Sequence, residues 1–235
     1  MKGVEKLIGP IAALLGFVYL LQWYIGDLRS PSDPIFEDKQ PPLVMKQGDP
    51  YIRALMRTIS ASEASGNRPY SLLYGGQQVN DLSQHPEMCV TIVIGPNTGN
   101  CSTAAGRYQI INITWYRLAP RYHPKPMHMM FWTGYSFEAE YQDVVVYRWL
   151  SDSKVWGTDI SQLLRQGKLN DVLRLLSPTW TSLGYGIETN SVSSSLSKIY
   201  QKMLQEELTA AKQPPKVNSA PTAQIQPLGK QPKKQ

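Results

Sequence analysis

Cysteine is scarce in this chain of 235 residues, with only Cys89 and Cys101 present. They form no C-x-x-C pair and their spacing fits no zinc site, which excludes a zinc-stabilised domain. The histidines and methionines of residues 121–135 also match no standard set of metal ligands. No internal repeat is visible, which excludes a repeat architecture. We therefore predict a domain that uses neither a metal nor another cofactor.

A second absence concerns charge, because residues 7–25 contain no charged side chain and are mostly apolar. As a helix rising about 1.5 Å per residue, this run would span roughly 28 Å, close to the hydrocarbon thickness of a bilayer. Lys2 and Lys6 precede the run and favour a cytoplasmic N-terminus. We predict a single-pass anchor over residues 1–26 in the cell membrane, with the rest of the chain on the periplasmic or extracytoplasmic side.

A cleaved signal peptide is the alternative to this anchor. Cleavage needs small residues before the cut, and the Gln-Trp-Tyr-Ile sequence of residues 22–25 offers none, although a cut near Ser30 stays open. In both cases the main domain is exported, so Cys89 and Cys101 become candidates for a disulfide. Two free, buried thiols are the other interpretation of this pair.

Two flanking segments lack the apolar content of a packed domain. Residues 27–48 contain four prolines among polar residues, which is typical of an extended linker. Residues 213–235 are rich in Pro, Gln and Lys, contain no acid, and are predicted to form a disordered basic tail. Because the net charge of +6 comes largely from this tail, the sequence does not indicate nucleic-acid binding. The folded domain is predicted over residues 49–212.

The central domain shows mostly helical patterns. Asp49 followed by Pro50 is a good helix start, and Ile52, Leu55, Met56 and Ile59 follow at helical spacing. Residues 89–94 form the best strand, since they are rich in β-branched side chains. Further helices are predicted over residues 108–118, 137–150, 159–165, 169–176 and 191–208. The predicted fold class is therefore α+β, mostly helical with a small β-element inserted early.

Glu63 is the first candidate for chemistry. It lies near the apolar stripe of the first helix and within one turn of the predicted helix end, which would place its carboxyl group between core and solvent. Partial burial without a close cation raises the pKa of a carboxyl group, and a general acid needs a proton near neutral pH. A solvated glutamate at a helix end is the plain alternative, and Glu63 by itself does not decide between the two.

Several segments in the same order strengthen this hypothesis. They are residues 57–63 (Arg-Thr-Ile-Ser-Ala-Ser-Glu), 70–76 (Tyr-Ser-Leu-Leu-Tyr-Gly-Gly), 81–86 (Asp-Leu-Ser-Gln-His-Pro), 103–110 (Thr-Ala-Ala-Gly-Arg-Tyr-Gln-Ile), Phe137, Gln142-Asp143, and 180–186 (Trp-Thr-Ser-Leu-Gly-Tyr-Gly). Together they resemble the lambda-type phage endolysins, a lysozyme-like family of lytic transglycosylases. The resemblance implies a lysozyme-like fold, with Glu63 as the catalytic glutamate at the end of the first helix.

The resemblance also implies a reaction and a substrate. Such enzymes cleave the bond between N-acetylmuramic acid (MurNAc) and N-acetylglucosamine (GlcNAc) in peptidoglycan glycan strands. The 6-hydroxyl of MurNAc attacks its own anomeric carbon, leaving a 1,6-anhydro sugar, so no second carboxylate is needed, in contrast to the usual glycosidase scheme. We expect Glu63 to donate one proton and to take one back. No protein partner is indicated.

The same resemblance suggests residues that bind substrate. Residues 106–109 are predicted to open a helix across the cleft from Glu63, and the full set of candidates is Asp81, Ser83, His85, Arg107, Tyr108, Gln109 and Tyr185. The alternatives are a core Tyr108 with Arg107 as a surface charge, and a purely structural turn at Asp81, Ser83 and His85. Tyr185 lies between two glycines and is predicted to stack on a sugar ring.

Two other functions stay open at this point. A hydrolytic muramidase of the same fold would need a base to activate water, and Asp81 is the nearest candidate in sequence. A non-catalytic protein that binds peptidoglycan and acts as an envelope scaffold would also suit an anchor, a linker and a basic tail.

The segment between Glu63 and Gly75 is shorter than is usual in the family, which affects subsite shape more than the reaction.

Overall fold

A computed structural model describes residues 40–64, 66–95, 97–128, 130–131, 133–185 and 193–212. The predicted anchor, residues 27–39 of the predicted linker and the predicted basic tail lie outside these ranges. Within these ranges, no helix combines the length and the hydropathy that a membrane span requires.

The described part of the chain is mostly helical. The helices are α1 (Pro50–Glu63), α2 (Asn112–Tyr122), α3 (Ala139–Leu150), α4 (Ser153–Trp156), α5 (Ile160–Arg165), α6 (Leu169–Leu176) and α7 (Leu196–Lys212). Two antiparallel pairs of short strands interrupt them, β1 (Val90–Thr91) with β2 (Cys101–Ser102) and β3 (Met127–His128) with β4 (Thr133–Gly134). Short 3-10 turns lie at Pro69–Ser71, Tyr74–Gly76, Thr181–Leu183 and Ser193–Ser195. The predicted α+β class with a small β-element is confirmed.

Helix α1 begins where the sequence predicts. The Asp49 carboxylate caps it by accepting the Tyr51 amide at 2.8 Å, and Pro50 occupies the first helical position. The same carboxylate accepts hydrogen bonds from the Ser161 hydroxyl and the Arg165 guanidinium. Although burial acts to raise the pKa of Asp49, these bonds outweigh it and the pKa is lowered. The start of α1 is therefore fixed to α5.

Helix α7 packs along α1 and holds it by charge as well as by apolar contact. Its buried side chains include Leu196, Ile199, Tyr200 and Met203. Glu207, also buried, accepts Arg53 Nε at 2.5 Å and Arg57 Nη1 at 3.3 Å. Removing one partner from such buried pairs is strongly destabilising, because it leaves a charge unpaired away from water. The helix that carries Glu63 is thus rigidly placed in the core.

The predicted disulfide is present and closes a small hairpin. Cys89 and Cys101 are bonded, with their Cα atoms 5.3 Å apart, directly at the β1–β2 pair. The strand itself is shorter than the predicted 89–94, because pairing with β2 involves only Val90 and Thr91. The chain turns at residues 97–99, where the Gly99 amide donates to the Ile92 carbonyl. The hairpin is therefore held by the disulfide more than by strand length.

Two predicted helix starts are corrected. The helix expected from residue 108 begins at Asn112, because residues 105–110 form a tight turn in which Ala105 and Ile110 bridge each other and Gln109 has φ of 45°. The C-terminal helix begins at Leu196 and extends to Lys212, whereas we predicted residues 191–208. Helical propensity predicts neither boundary, since tertiary contacts and backbone conformation override it.

Residues 40–48, which we assigned to the linker, pack on the domain. Leu43 is only 2% exposed and belongs to the main core. The amides of Val44 and Met45 donate to the Asp143 carboxylate at 2.8 and 3.1 Å. The packed unit therefore begins by Gln40 and not at Asp49. We call residues 40–45 the strap.

Candidate active site

Glu63 lies at the last position of α1 and is half-buried. The Ser182 hydroxyl donates a hydrogen bond to Glu63 Oε1 and lies 3.2 Å from the Ser62 hydroxyl. Ser182 belongs to the turn Thr181–Leu183, which packs against α1. The carboxyl group of Glu63 is thus neither sealed in the core nor loose in solvent, and a neighbouring hydroxyl orients it.

Trp180 connects this turn to the segment of residues 106–109. Its indole Nε1 donates to the Tyr108 carbonyl at 2.9 Å, and the side chain is only 2% exposed. Because Ser182 follows two residues later and contacts Glu63, residues 180–183 link the catalytic candidate to the predicted sugar-binding turn. The structure therefore brings Glu63 and residues 106–109 into one connected unit.

The turn at residues 106–109 depends on a glycine. Gly106 has φ of 73°, and a Cβ atom there would collide with the side-chain amide of Gln142 and lie 2.8 Å from the Phe137 ring. The space is taken because Gln142 Oε1 accepts the Arg107 amide at 2.9 Å, while its Nε2 donates to the Tyr70 and Phe137 carbonyls. A buried Gln142 thus shapes this turn.

A buried polar cluster supports the same turn from inside. The Tyr108 hydroxyl donates to Asp143 Oδ1 at 2.6 Å, and the Tyr70 hydroxyl donates to Asp143 Oδ2 at 2.8 Å. Arg107 donates to the Tyr70 hydroxyl at 3.0 Å. Burial raises the pKa of Asp143 despite these hydrogen bonds and the Arg107 charge, and burial likewise raises the pKa of Tyr108. The cluster is therefore a structural network.

The three predicted substrate-binding residues of this turn differ in their exposure to solvent. Arg107 and Tyr108 are 0% and 1% exposed, so in this structure their side chains have almost no surface with which to meet a glycan. They support the turn from within. Gln109 is partly exposed, and its Nε2 donates to the Leu72 and Gly106 carbonyls. Direct contact with substrate through Gln109 stays a prediction.

Asp81 and Ser83 form the polar turn that we predicted before Pro86. The exposed Asp81 carboxylate accepts the Ser83 amide at 2.9 Å, and hydrogen bonds from Ser83 lower the pKa of Asp81. Both residues are exposed, so contact with substrate is open to them. Asp81 lies on the wall of an open pocket of about 330 Å³, lined also by Val79, Asn80, Gln84, His85, Pro86 and Met88.

His85 is one of the residues that line this pocket, but it is only 1% exposed. The Glu87 amide donates to Nδ1 at 3.1 Å, which leaves Nε2 to donate to the Ile110 carbonyl at 2.8 Å. Burial lowers the pKa of His85, although the hydrogen bond with the Ile110 carbonyl and the charge of Glu87 act in the opposite direction. His85 therefore connects the backbone at Glu87 to the end of the 106–110 turn, and its ring has little contact with solvent.

Tyr185 follows the turn that holds Ser182. Tyr185 is 42% exposed, and the Arg174 guanidinium lies 5.0 Å from its ring centroid. Stacking of this ring on a sugar stays a prediction. The following Gly186 lies outside the described residues.

Ser182 is the contact of Glu63 that the candidate set omitted. Its only signal in the sequence is its place in the Trp180-Thr-Ser-Leu183 segment, which counted toward the resemblance but gave Ser182 no role. In the part of the chain that the structure describes, no group of three or more His, Cys, Asp or Glu residues could hold a metal ion.

Comparison with known proteins agrees with the geometry. The model of the Endolysin family matches residues 53–206, which include Glu63 and both turns. A solved structure of bacteriophage lambda lysozyme complexed with a chitohexasaccharide is 22% identical, with a TM-score of 0.51 over 68% of this chain and 97% of that one. A second structure of lysozyme from bacteriophage lambda is 18% identical, with a TM-score of 0.46 over 71% and 97%. A comparison with curated proteins gives no match.

The family match covers well over half of the chain, and the structural match shows a lysozyme-like fold. The resemblance on which the catalytic assignment of Glu63 rests is therefore confirmed. The chain belongs to the endolysin family of peptidoglycan-cleaving glycosidases.

Proposed function

We propose that this protein is a lytic transglycosylase that cleaves the MurNAc–GlcNAc bond, with Glu63 as its general acid and base. The observation that carries the proposal is the half-buried Glu63 carboxyl group at the end of α1, oriented by Ser182 and linked through Trp180 to the 106–109 turn. The related lambda lysozyme was solved with a chitohexasaccharide, which supports a glycan strand as the ligand of this site.

The proposed reaction needs one carboxyl group. Glu63 gives its proton to the glycosidic oxygen as the bond from that oxygen to the MurNAc anomeric carbon breaks. The MurNAc 6-hydroxyl oxygen then bonds to the anomeric carbon, and its proton passes to the Glu63 carboxylate. The acid is restored and no water is consumed. Holding the nucleophile on the same sugar supplies the proximity that a bimolecular attack would lack.

Four other carboxylates are engaged in holding the fold, which supports Glu63 as the catalytic acid. Asp143 accepts four hydrogen bonds in the core, and Glu207 is paired with two arginines. Asp49 caps α1, and Asp152 accepts bonds from Arg121 and Tyr122. Each of these groups stabilises the fold and has little freedom to exchange a proton with substrate.

A hydrolytic muramidase is the second candidate, and Asp81 is the observation in its favour. Its carboxylate is exposed, and the hydrogen bonds from Ser83 lower its pKa, so it is ionised at neutral pH as a base must be. In that mechanism Asp81 would activate a water molecule, and the product would carry a reducing end.

Product analysis distinguishes the two reactions. Purified peptidoglycan sacculi are digested with the protein, and the soluble muropeptides are identified by mass spectrometry. We expect 1,6-anhydro-MurNAc ends, which lack one water relative to reducing ends. Reducing ends alone would establish the muramidase instead. Binding to sacculi without any cleavage, under conditions where a reference lysozyme cleaves them, would leave a non-catalytic wall-binding role.

We also propose that residues 1–26 hold the enzyme at the cell membrane with its domain on the wall side. The support is the uncharged, apolar run of residues 7–25. Membrane fractionation of cells that express the full chain tests this, with protease protection to determine the side. A full-length protein recovered in the cytosolic fraction would contradict it.

A further inference from the structure

The C-terminal end of α1 is tied to the strap by one side chain. Helix ends leave carbonyl groups without partners in the helix. Gln40 Nε2 donates to the carbonyl of Ala64 at 3.0 Å, and Gln40 Oε1 accepts the Ser60 hydroxyl at 2.7 Å. These two contacts lie on either side of Glu63 in sequence. Gln40 thus fixes the backbone from which the Glu63 side chain projects.

The other end of the strap is tied to the domain core. Leu43 is buried, and the Val44 and Met45 amides donate to Asp143 Oδ2. Asp143 is the same carboxylate that receives the Tyr108 hydroxyl. Movement of the strap at Val44 would therefore disturb the network beneath the 106–109 turn.

Arg107 joins the middle of the strap directly to that turn. Its guanidinium donates to the Pro41 carbonyl at 2.6 Å and to the Pro42 carbonyl at 3.1 Å. Two successive prolines restrict their own φ angles and hold Gln40 in an extended conformation, so this short link is stiff. Because this stiff link is bonded both to the end of α1 and to the 106–109 turn, it keeps the distance between them constant.

We propose that the strap is a positioning element for catalysis, in which Gln40 sets the end of α1 and Arg107 sets the 106–109 turn. The inference rests on the proposed role of Glu63 as the catalytic acid. It extends the active-site scaffold to residues before the family match, which starts at residue 53. The segment that leads from the predicted anchor therefore enters the domain through the scaffold of the site, and its contacts matter for rate as well as for tethering.

The test replaces Gln40 with methionine in the full chain, which keeps the length of the side chain and removes both hydrogen bonds. The matched control is Gln47→Met, because Gln47 is exposed and supplies only its backbone carbonyl to Arg53. Release of anhydro-muropeptides from sacculi gives kcat and KM, and thermal unfolding gives Tm. We expect kcat of Gln40→Met to fall about tenfold with little change in KM, since a small misplacement of a catalytic group is costly.

A conservative variant makes the result specific. Gln40→Glu keeps an acceptor for Ser60 but cannot donate to the Ala64 carbonyl, so we expect an intermediate kcat. Gln47→Met should match the wild type in kcat and Tm. A wild-type kcat in Gln40→Met, or losses of kcat that follow Tm equally in all variants, would overturn the positioning role. An inactive wild-type enzyme would instead refute the proposed function, so the two failures are distinguishable. If Gln40→Met does not fold, Gln40→Glu carries the same comparison.

Discussion

Glu63 and Asp143 are two carboxyl groups of one domain with opposite surroundings. Asp143 is fully buried and accepts hydrogen bonds from two tyrosine hydroxyls and two backbone amides. Glu63 is half-buried at a helix end, and its carboxyl group receives the Ser182 hydroxyl. Burial alone therefore does not identify the catalytic group. A carboxylate enclosed by fixed donors in the core serves the fold, whereas a half-buried carboxyl group at a helix end can exchange a proton with a substrate.

The largest expected effect is the loss of activity when Glu63 is replaced. Glu63→Gln removes the transferable proton while keeping the size of the side chain, so we expect cleavage of sacculi to fall by about 10³-fold. The free energy of unfolding should change by less than about 1 kcal/mol, because the group is partly exposed. Turnover and urea denaturation measure the two quantities.

The control for this variant is Glu140→Gln, an exposed glutamate in the first turn of α3. It should retain wild-type turnover. Substantial cleavage by Glu63→Gln would mean that another group supplies the proton, and Asp81 would be the next residue to test.

The second effect is the loss of stability when Asp143 is replaced. Asp143→Ala leaves four donors without their acceptor and the Arg107 charge without its buried counterpart, so we expect a loss of about 3–5 kcal/mol in the free energy of unfolding. Urea denaturation measures this loss. Asp171→Ala, at an exposed position in the first turn of α6, should cost less than about 1 kcal/mol. Equal losses in the two variants would show that the Asp143 network contributes no special stability.

Several parts of the fold could be predicted because their causes are local. The N-cap at Asp49 and the apolar stripe of α1 are written in consecutive residues, and so are the boundaries of α6. The disulfide was a candidate because two cysteines allow one intramolecular pairing, and the structure contains it. In these cases the pattern and the tertiary structure favour the same conformation.

The strap and the 106–109 turn could not be predicted in the same way. Prolines among polar residues indicate a linker unless tertiary partners are known, and those partners, Asp143 and Arg107, lie far along the chain. The turn is held by the Gln142 side chain, which accepts the Arg107 amide and occupies the space beside Gly106. Ser182 contacts Glu63 across 119 residues. Such contacts depend on packing and leave no local periodic signal.

A smaller effect sharpens the assignment of the Glu63 side. Ser182→Ala removes the hydroxyl that orients the carboxyl group, and the loss of one hydrogen bond of about 1 kcal/mol corresponds to about a fivefold lower kcat. KM should change little, because the role assigned to Ser182 is to orient Glu63 and not to bind the glycan. Ser194→Ala, an exposed serine in the turn Ser193–Ser195, is the control and should keep the wild-type kcat. An unchanged kcat in Ser182→Ala would show that the Ser182 hydroxyl does not orient Glu63 for catalysis.

The smallest effect concerns His85, which we predicted to bind substrate and which is buried in the structure. Burial lowers the pKa of His85 below the usual 6.5, so the unfolded chain takes up a proton at this residue at a higher pH than the folded one. The free energy of unfolding should therefore decline as the pH falls below about 6.5. His123, whose pKa is also lowered by burial, contributes in the same direction.

Unfolding measured across this pH range in His85→Gln should show a shallower decline than in the wild type, because one of the two buried imidazoles no longer titrates. His128→Gln makes the same substitution at an exposed histidine of β3 and is the matched control. The affinity of an uncleaved glycan for the folded protein should be the same in all three proteins, since the His85 ring is covered by Phe137 and bonded to the Ile110 carbonyl. A wild-type slope in His85→Gln together with weaker glycan binding would return His85 to the substrate-binding set.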